Sequence, residues 1–208
     1  MSRRDILGII LSGGLSTRMG EDKSLKKISG ISLIEWVSNR ASNQVDKVII
    51  NSNQYHKIFD NLNLETVLSD CMPGNLGPLV GVLTGLKWAV NNSKYKWLMS
   101  FPIDCPFFPK NIVQRFVEES QNSQIVMAEG SVRIHPVFSM WRVNSRILQE
   151  LELFLNNGER KIDIFTKKFK TRVVKFSEFG YDPFLNVNTM SELQKAQKIH
   201  SKYFRTIK

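Results

Sequence analysis

The run Ile6-Leu7-Gly8-Ile9-Ile10-Leu11 carries no polar side chain and leads straight into Ser12-Gly13-Gly14-Leu15-Ser16-Thr17-Arg18-Met19-Gly20-Glu21-Asp22-Lys23. A short apolar run of this kind reads as a strand buried on both faces. Adjacent glycines directly after it let the backbone approach a ligand closely and aim several N–H groups at one anion. Arg18 and Lys23 add cations to the same loop. Glycines, small hydroxyls and paired cations in so short a segment suit a triphosphate, whose charge must be met from several sides. The segment is not a P-loop, because no Gly-Lys-Ser/Thr closes it, and it lacks the spacing of the dinucleotide fingerprint. A flexible turn with solvated charges is the bland alternative, and the strand–loop–helix context weighs against it.

The rest of the chain alternates short β-branched runs with longer segments of helical period, the pattern of a mainly parallel sheet covered by helices. Strands are predicted at Ile6–Leu11, Lys47–Asn51, Thr66–Leu68, 97–101, 124–128 and 172–176. The alternation over 133–141 predicts one more strand, antiparallel and at the sheet's edge. Helices are predicted over 32–42, 79–90, 111–120, 144–155, 162–169 and 190–199. With 208 residues and no repeat or linker, the chain reads as a single domain. Hydrophobic residues at 42% and charged residues at 23% exclude a disordered or fibrous chain.

The apolar run at Ile6–Leu11 is far shorter than the roughly 18 residues of a membrane span, so no membrane association is expected. Arg3 and Arg4 ahead of it do not make a signal peptide, since Gly13 and Gly14 end the run too soon. Cys71 and Cys105 are the only cysteines, so a disulfide framework is absent and a reducing cytoplasm is the expected compartment. The net charge of +10 favours anionic partners in general. Its densest stretch, Lys161, Lys167, Lys168, Lys170, Arg172 and Lys175, reads as a solvated basic surface rather than a nucleic-acid arm.

In an open α/β sheet, ligands bind beyond the carboxyl ends of the strands. There Phe101-Pro102-Ile103-Asp104-Cys105-Pro106 fixes a carboxylate between prolines. A carboxylate so placed can hold Mg²⁺, which takes one or two carboxylates plus phosphate oxygens and water. Alone, a turn-forming Asp would be as good a reading; beside the glycine loop, the metal reading is stronger. Gly77-Pro78-Leu79-Val80-Gly81 marks a loop entering a helix, whose first N–H groups can face a base, ribose or phosphate.

Together these stretches resemble the molybdenum cofactor guanylyltransferase family. The opening signature Leu-x-Gly-Gly-x-Ser-x-Arg-Met-Gly-x-Asp-Lys is reproduced over residues 11–23, with Ser12 where Ala is commoner. Gly77-Pro78-Leu79-x-Gly81, Pro102-x-Asp104-x-Pro106, His135-Pro136 and Asn186-Val187-Asn188-Thr189 follow in order. The resemblance implies a Rossmann-like nucleotidyltransferase fold, with a nucleotide-binding half near 1–110 and an acceptor half near 111–208. It implies that Leu11, Ser12, Gly13, Gly14, Asn51, Asp70 and Gly77 receive GTP, with Lys23 on the phosphates and Asp104 on Mg²⁺. Arg18, Lys23 and Asp104 are the expected catalytic residues. Arg160, Asn186, Asn188 and His135 are expected on the pterin side, a structural His135 being an equal alternative. The partners so implied are GTP and molybdopterin, with transient contact to proteins that supply molybdopterin or mature molybdoenzymes.

The implied reaction is attack of the molybdopterin phosphate on the α-phosphorus of GTP, with pyrophosphate leaving. A phosphate monoester needs no Ser, Cys or His nucleophile, and none is conspicuous in these loops. The open alternatives are a cytidylyltransferase or sugar-phosphate nucleotidyltransferase with the same first loop, and a non-catalytic nucleotide- or nucleic-acid-binding module.

Overall fold

Strand β1 (Ile6–Leu11) is buried along its whole length and lies in the interior of a seven-stranded sheet. The computed structural model describes residues 5–13, 23–74 and 76–204. A hairpin of β2 (Lys27–Ile28) and β3 (Ile31–Ser32) precedes α1 (Leu33–Ser42), and β4 (Lys47–Asn51) and β5 (Thr66–Leu68) follow. Then come α2 (Pro78–Val90), β6 (Trp97–Pro102), α3 (Ile112–Ser120), β7 (Ile125–Glu129) and β8 (Ile134–Arg142). Helices α4 (Ser145–Asn156) and α5 (Ile162–Thr166), strand β9 (Thr171–Lys175) and helix α6 (Met190–Tyr203) complete the described chain.

The sheet order is β5-β4-β1-β6-β8-β7-β9. Every strand runs parallel to β1 except β8, which is antiparallel to both its neighbours. The expected strand at 133–141 is therefore antiparallel as predicted, but it lies inside the sheet, and β5 and β9 form the edges. Sequence periodicity reports which face a residue occupies and carries no information about which strand becomes its neighbour.

Alternation along the strands divides the core. Ile6 and Ile10 join α1 and α3 on one face, whereas Leu7, Ile9 and Leu11 join α2, α4 and α5 on the other. Both sides are covered, which is why the parallel strands read as continuous apolar runs. A third cluster, Ile28, Leu33, Phe107, Val187, Leu193 and Ala196, seats α6 on the β2–β3 hairpin and the start of α1.

Helix α1 starts where Ser32 accepts from the Glu35 backbone N–H while the Glu35 carboxylate accepts from the Ser32 N–H at 2.8 Å. These hydrogen bonds hold the Glu35 carboxyl below its usual range. The helix predicted over 162–169 closes at Thr166, and the chain is extended again from Thr171.

Candidate active site

The carboxyl ends of β1, β4, β5 and β6 meet on one rim. Leu11 is level with Asn51 on one side and Pro102 on the other, and Asn51 is level with Leu68. Backbone hydrogen bonds extend this register past the strands: Ser12 N–H donates to the Asn51 carbonyl at 3.0 Å and Ile103 N–H to the Leu11 carbonyl at 3.2 Å. Leu11, Ser12 and Gly13 thus stand between Asn51 and the turn that carries Asp104. Gly14 and Arg18 lie outside the described residues, as does the side chain of Lys23, whose backbone opens a short 3-10 turn, Lys23–Leu25.

On the β4–β5 side the polar groups are tied together. Buried Asn51 donates through Nδ2 to Asp70 Oδ1 at 2.9 Å and to the Leu68 carbonyl at 3.3 Å. Asn53 donates to the other carboxylate oxygen, Oδ2, at 2.8 Å, and accepts from the Asp70 backbone N–H at 2.8 Å. Asn53 is a site residue that the sequence reading missed. It lies in a bend just past β4, and the partner that ties it to the site is distant in sequence.

Helix α2 closes this side. Gly77 precedes it with φ +74°, a left-handed conformation that glycine adopts without strain, and Pro78 occupies the first turn. A Cβ on Gly81 would lie 2.3 Å from Asn51 Oδ1 and 2.6 Å from Leu11 Cδ2, so only glycine lets the helix approach these residues. The Thr84 hydroxyl accepts from the Cys71 N–H at 3.0 Å and donates to the Val80 carbonyl at 2.8 Å, fixing the loop after Asp70 to the helix.

The β6 side brings distant segments together. The Asp104 carbonyl accepts from Val187 N–H at 2.8 Å. The buried Cys105 thiol donates to Asn186 Oδ1 at 2.8 Å and lies 3.5 Å from Asp104 Oδ1. The thiol therefore ties Asn186 to the turn that carries Asp104. Asn188 opens the turn into α6, its N–H donating to Glu192 at 2.8 Å.

His135 reaches the same rim because β8 runs backwards and pairs it with Ala128 near the end of β7. Its ring stacks on Phe184 with centroids 4.6 Å apart. Burial, with Arg133 nearby, pushes the imidazole below its usual range, against the opposite pull of Asp182. Arg160 donates to the Leu155 and Glu159 carbonyls at 2.7 and 2.6 Å, so part of its guanidinium caps the carboxyl end of α4.

The donor set for a metal is sparse. Among the described residues no cluster of three or more His, Cys, Asp or Glu side chains gathers. A solitary carboxylate fits an ion that keeps water and phosphate oxygens, as Mg²⁺ does, and does not fit a cage built wholly from protein. No helix of the described residues is long and apolar enough to cross a membrane. Within the basic stretch, Arg172 pairs with Glu119 at 2.7 Å and Lys168 with Glu150 at 3.5 Å, as a solvated surface would.

Comparison with known proteins bears on the family and the fold. The chain is 36% identical over 195 residues to a molybdenum cofactor guanylyltransferase of Rhodopseudomonas palustris (strain BisB5), covering 92% of each chain. It is 34% identical over 197 residues to one from Nitrobacter hamburgensis, covering 92% of this chain and 93% of the relative. The crystal structure of molybdopterin-guanine dinucleotide biosynthesis protein A from Archaeoglobus fulgidus superposes with a TM-score of 0.74 at 21% identity, covering 94% of this chain and 99% of that one. The 4-diphosphocytidyl-2C-methyl-D-erythritol synthase of Anaerococcus prevotii shares the fold with a TM-score of 0.74 at 12% identity, covering 96% and 97%. A family model, the MobA-like NTP transferase domain, matches residues 8–169. The chain belongs to the MobA-like NTP transferase family.

Proposed function

We propose that this protein transfers GMP from GTP to the terminal phosphate of molybdopterin, forming molybdopterin guanine dinucleotide and pyrophosphate. The observation that carries the reading is the rim itself. Leu11, Ser12 and Gly13 stand between the Asn51–Asp70 pair and the Asp104 turn, in register with both. The curated relatives quoted above, molybdenum cofactor guanylyltransferases by name, support guanine and the pterin acceptor.

In this reading, the Asp70 carboxylate accepts from guanine N1–H and the 2-amino group, a pairing that cytosine and adenine cannot make. The backbone of residues 11–13 and the first turn of α2 take the ribose and phosphates. Lys23 and Arg18 offset charge on the departing pyrophosphate, and Asp104 holds the divalent cation carried by the nucleotide. That ion, Mg²⁺ in this proposal, would be held by Asp104 together with the nucleotide and would supply charge neutralisation at the phosphates. His135, Arg160, Asn186 and Asn188 line the acceptor side. Most of the acceleration then comes from positioning and charge rather than from a protein nucleophile. Cytoplasmic location and brief contacts with cofactor-supplying and cofactor-receiving proteins belong to the same proposal.

The test is incubation of purified protein with Mg²⁺, molybdopterin and GTP, CTP, ATP or UTP in turn, with pyrophosphate and the dinucleotide measured. Product from GTP alone is the expected outcome. Turnover that prefers CTP would instead favour a cytidylyltransferase, a chemistry this fold also hosts.

A further inference from the structure

The polar groups after β4 are more tightly organised than an exposed strand-end loop requires. The buried Ser52 hydroxyl donates to the Gln54 carbonyl at 2.7 Å and accepts from the Gln54 N–H at 3.3 Å, while Ser52 N–H donates to the Leu68 carbonyl at 2.9 Å. These bonds hold Asn53 against the end of β5. Its amide then grips Asp70 at both ends, accepting from the backbone N–H and donating to Oδ2, each at 2.8 Å. Asn51 holds the other carboxylate oxygen at 2.9 Å and is itself wedged against Gly81.

With one amide donor on each oxygen, the carboxylate cannot turn about its Cβ–Cγ bond without breaking a charge-assisted hydrogen bond. A carboxylate oxygen accepts about two hydrogen bonds, so each oxygen keeps one acceptor site. Two acceptors with a fixed separation and plane match two adjacent N–H donors on one edge of a flat base. Guanine carries such a pair, N1–H and the 2-amino group. Hypoxanthine keeps only N1–H, and adenine presents N1 as an acceptor. A carboxylate free to turn still meets a single donor but meets the pair poorly.

We propose that Asn53 is a positioning residue for base choice: it fixes the plane of the Asp70 carboxylate so that both purine donors are read together. The proposal rests on the GTP reading above and adds the residue that makes the carboxylate selective.

Competition binding of GTP, inosine triphosphate and ATP, each with Mg²⁺, to the full chain and to Asn53→Ala and Asp70→Ala tests it. A hydrogen bond to a charged group corresponds to about ten- to a hundredfold in affinity, so the parent protein should favour GTP over inosine triphosphate by that order. Asn53→Ala should cut this ratio to about threefold or less while inosine triphosphate itself binds within about threefold of the parent, since one donor can follow a turning carboxylate. A merely structural role for Asn53 would weaken all the nucleotides alike and leave the ratio intact, and that result overturns the proposal. If the parent discriminates, Asp70→Ala abolishes the discrimination and Asn53→Ala preserves it, only the positioning role fails. If the parent binds GTP no better than ATP, the guanine reading fails and the proposal falls with it. Unfolding midpoints without nucleotide show whether each variant remains folded.

Discussion

The two sides of the rim are built from different forces. Between β4, β5 and α2, side-chain hydrogen bonds lock Asn51, Asn53 and Asp70. Beyond β6, packed rings set the shape: His135 stacked on Phe184, and Phe184 tilted against Phe138 at 5.0 Å and edge-on to Phe176 at 5.8 Å, with the Cys105 thiol as the polar tie. Hydrogen bonds are directional and fix where a ligand's donors must lie. Ring packing fixes the shape of a wall and constrains donors far less. A side that reads one base needs the first kind of order. A side that receives a bulky acceptor can be formed by the second.

The largest test lies where the sides meet. Asp104→Ala is expected to lower transfer from GTP about a hundred- to a thousandfold, as loss of one preorganised charge does. Its unfolding midpoint separates loss of the charge from loss of the fold, and the bond to Val187, which uses the Asp104 carbonyl, survives the substitution. Steady-state pyrophosphate release and a thermal melt measure both; near-parent turnover would remove Asp104 from the metal role.

Gly81→Ala sharpens the contrast on the hydrogen-bonded side. Its Cβ would displace the Asn51 amide, and overpacking of this kind costs about 1–3 kcal/mol of stability. GTP affinity should fall about tenfold, with the acceptor's KM unchanged, since the Asn51–Asp70 bond shifts with the amide. A loss shared equally by both substrates would mean that the sides are not independent.

On the ring-built side the expected effect is smaller. Cys105→Ala removes the donor to Asn186 and should raise the KM for the acceptor about threefold to tenfold, with the KM for GTP unchanged. Cys105→Ser keeps a donor and should restore most of the loss.

The smallest effect is a pH dependence. The folded protein holds His135 below its usual pKa of about 6.5, so the unfolded chain binds the proton more readily. Stability from this residue is present above about pH 6.5 and is lost as pH falls through the lower, folded value. Unfolding midpoints between about pH 7.5 and 5.5 should therefore fall more steeply for the parent than for His135→Phe, which keeps a ring on Phe184.

How much of this was legible in the sequence follows from what determines each feature. β1 and β4 announced themselves as short apolar runs and the helices through local period, and Asp104 drew notice through its place between prolines after an apolar run. The interior seat of β8 was hidden because alternation is the same at an edge and in the middle of a sheet. The β2–β3 hairpin was hidden because strands of two residues carry no period, and a cluster that includes Leu193 and Ala196 of α6 holds it. Asn53 was missed because its meaning depends on the backbone N–H of Asp70, seventeen positions later.

The seating of α6 on that hairpin bears on the order in which the site is assembled. Ile28 and Leu33, just past the opening loop, rest on Leu193 and Ala196, about as distant along the chain as any contact in this fold. Closing so long a loop carries an entropic cost that nearby contacts must first offset. The exit of the loop thus gains part of its support when the last helix folds back, after the central strands can already have paired. A chain stalled before that step would own a complete sheet yet leave the hairpin beside its candidate site without the packing that α6 supplies.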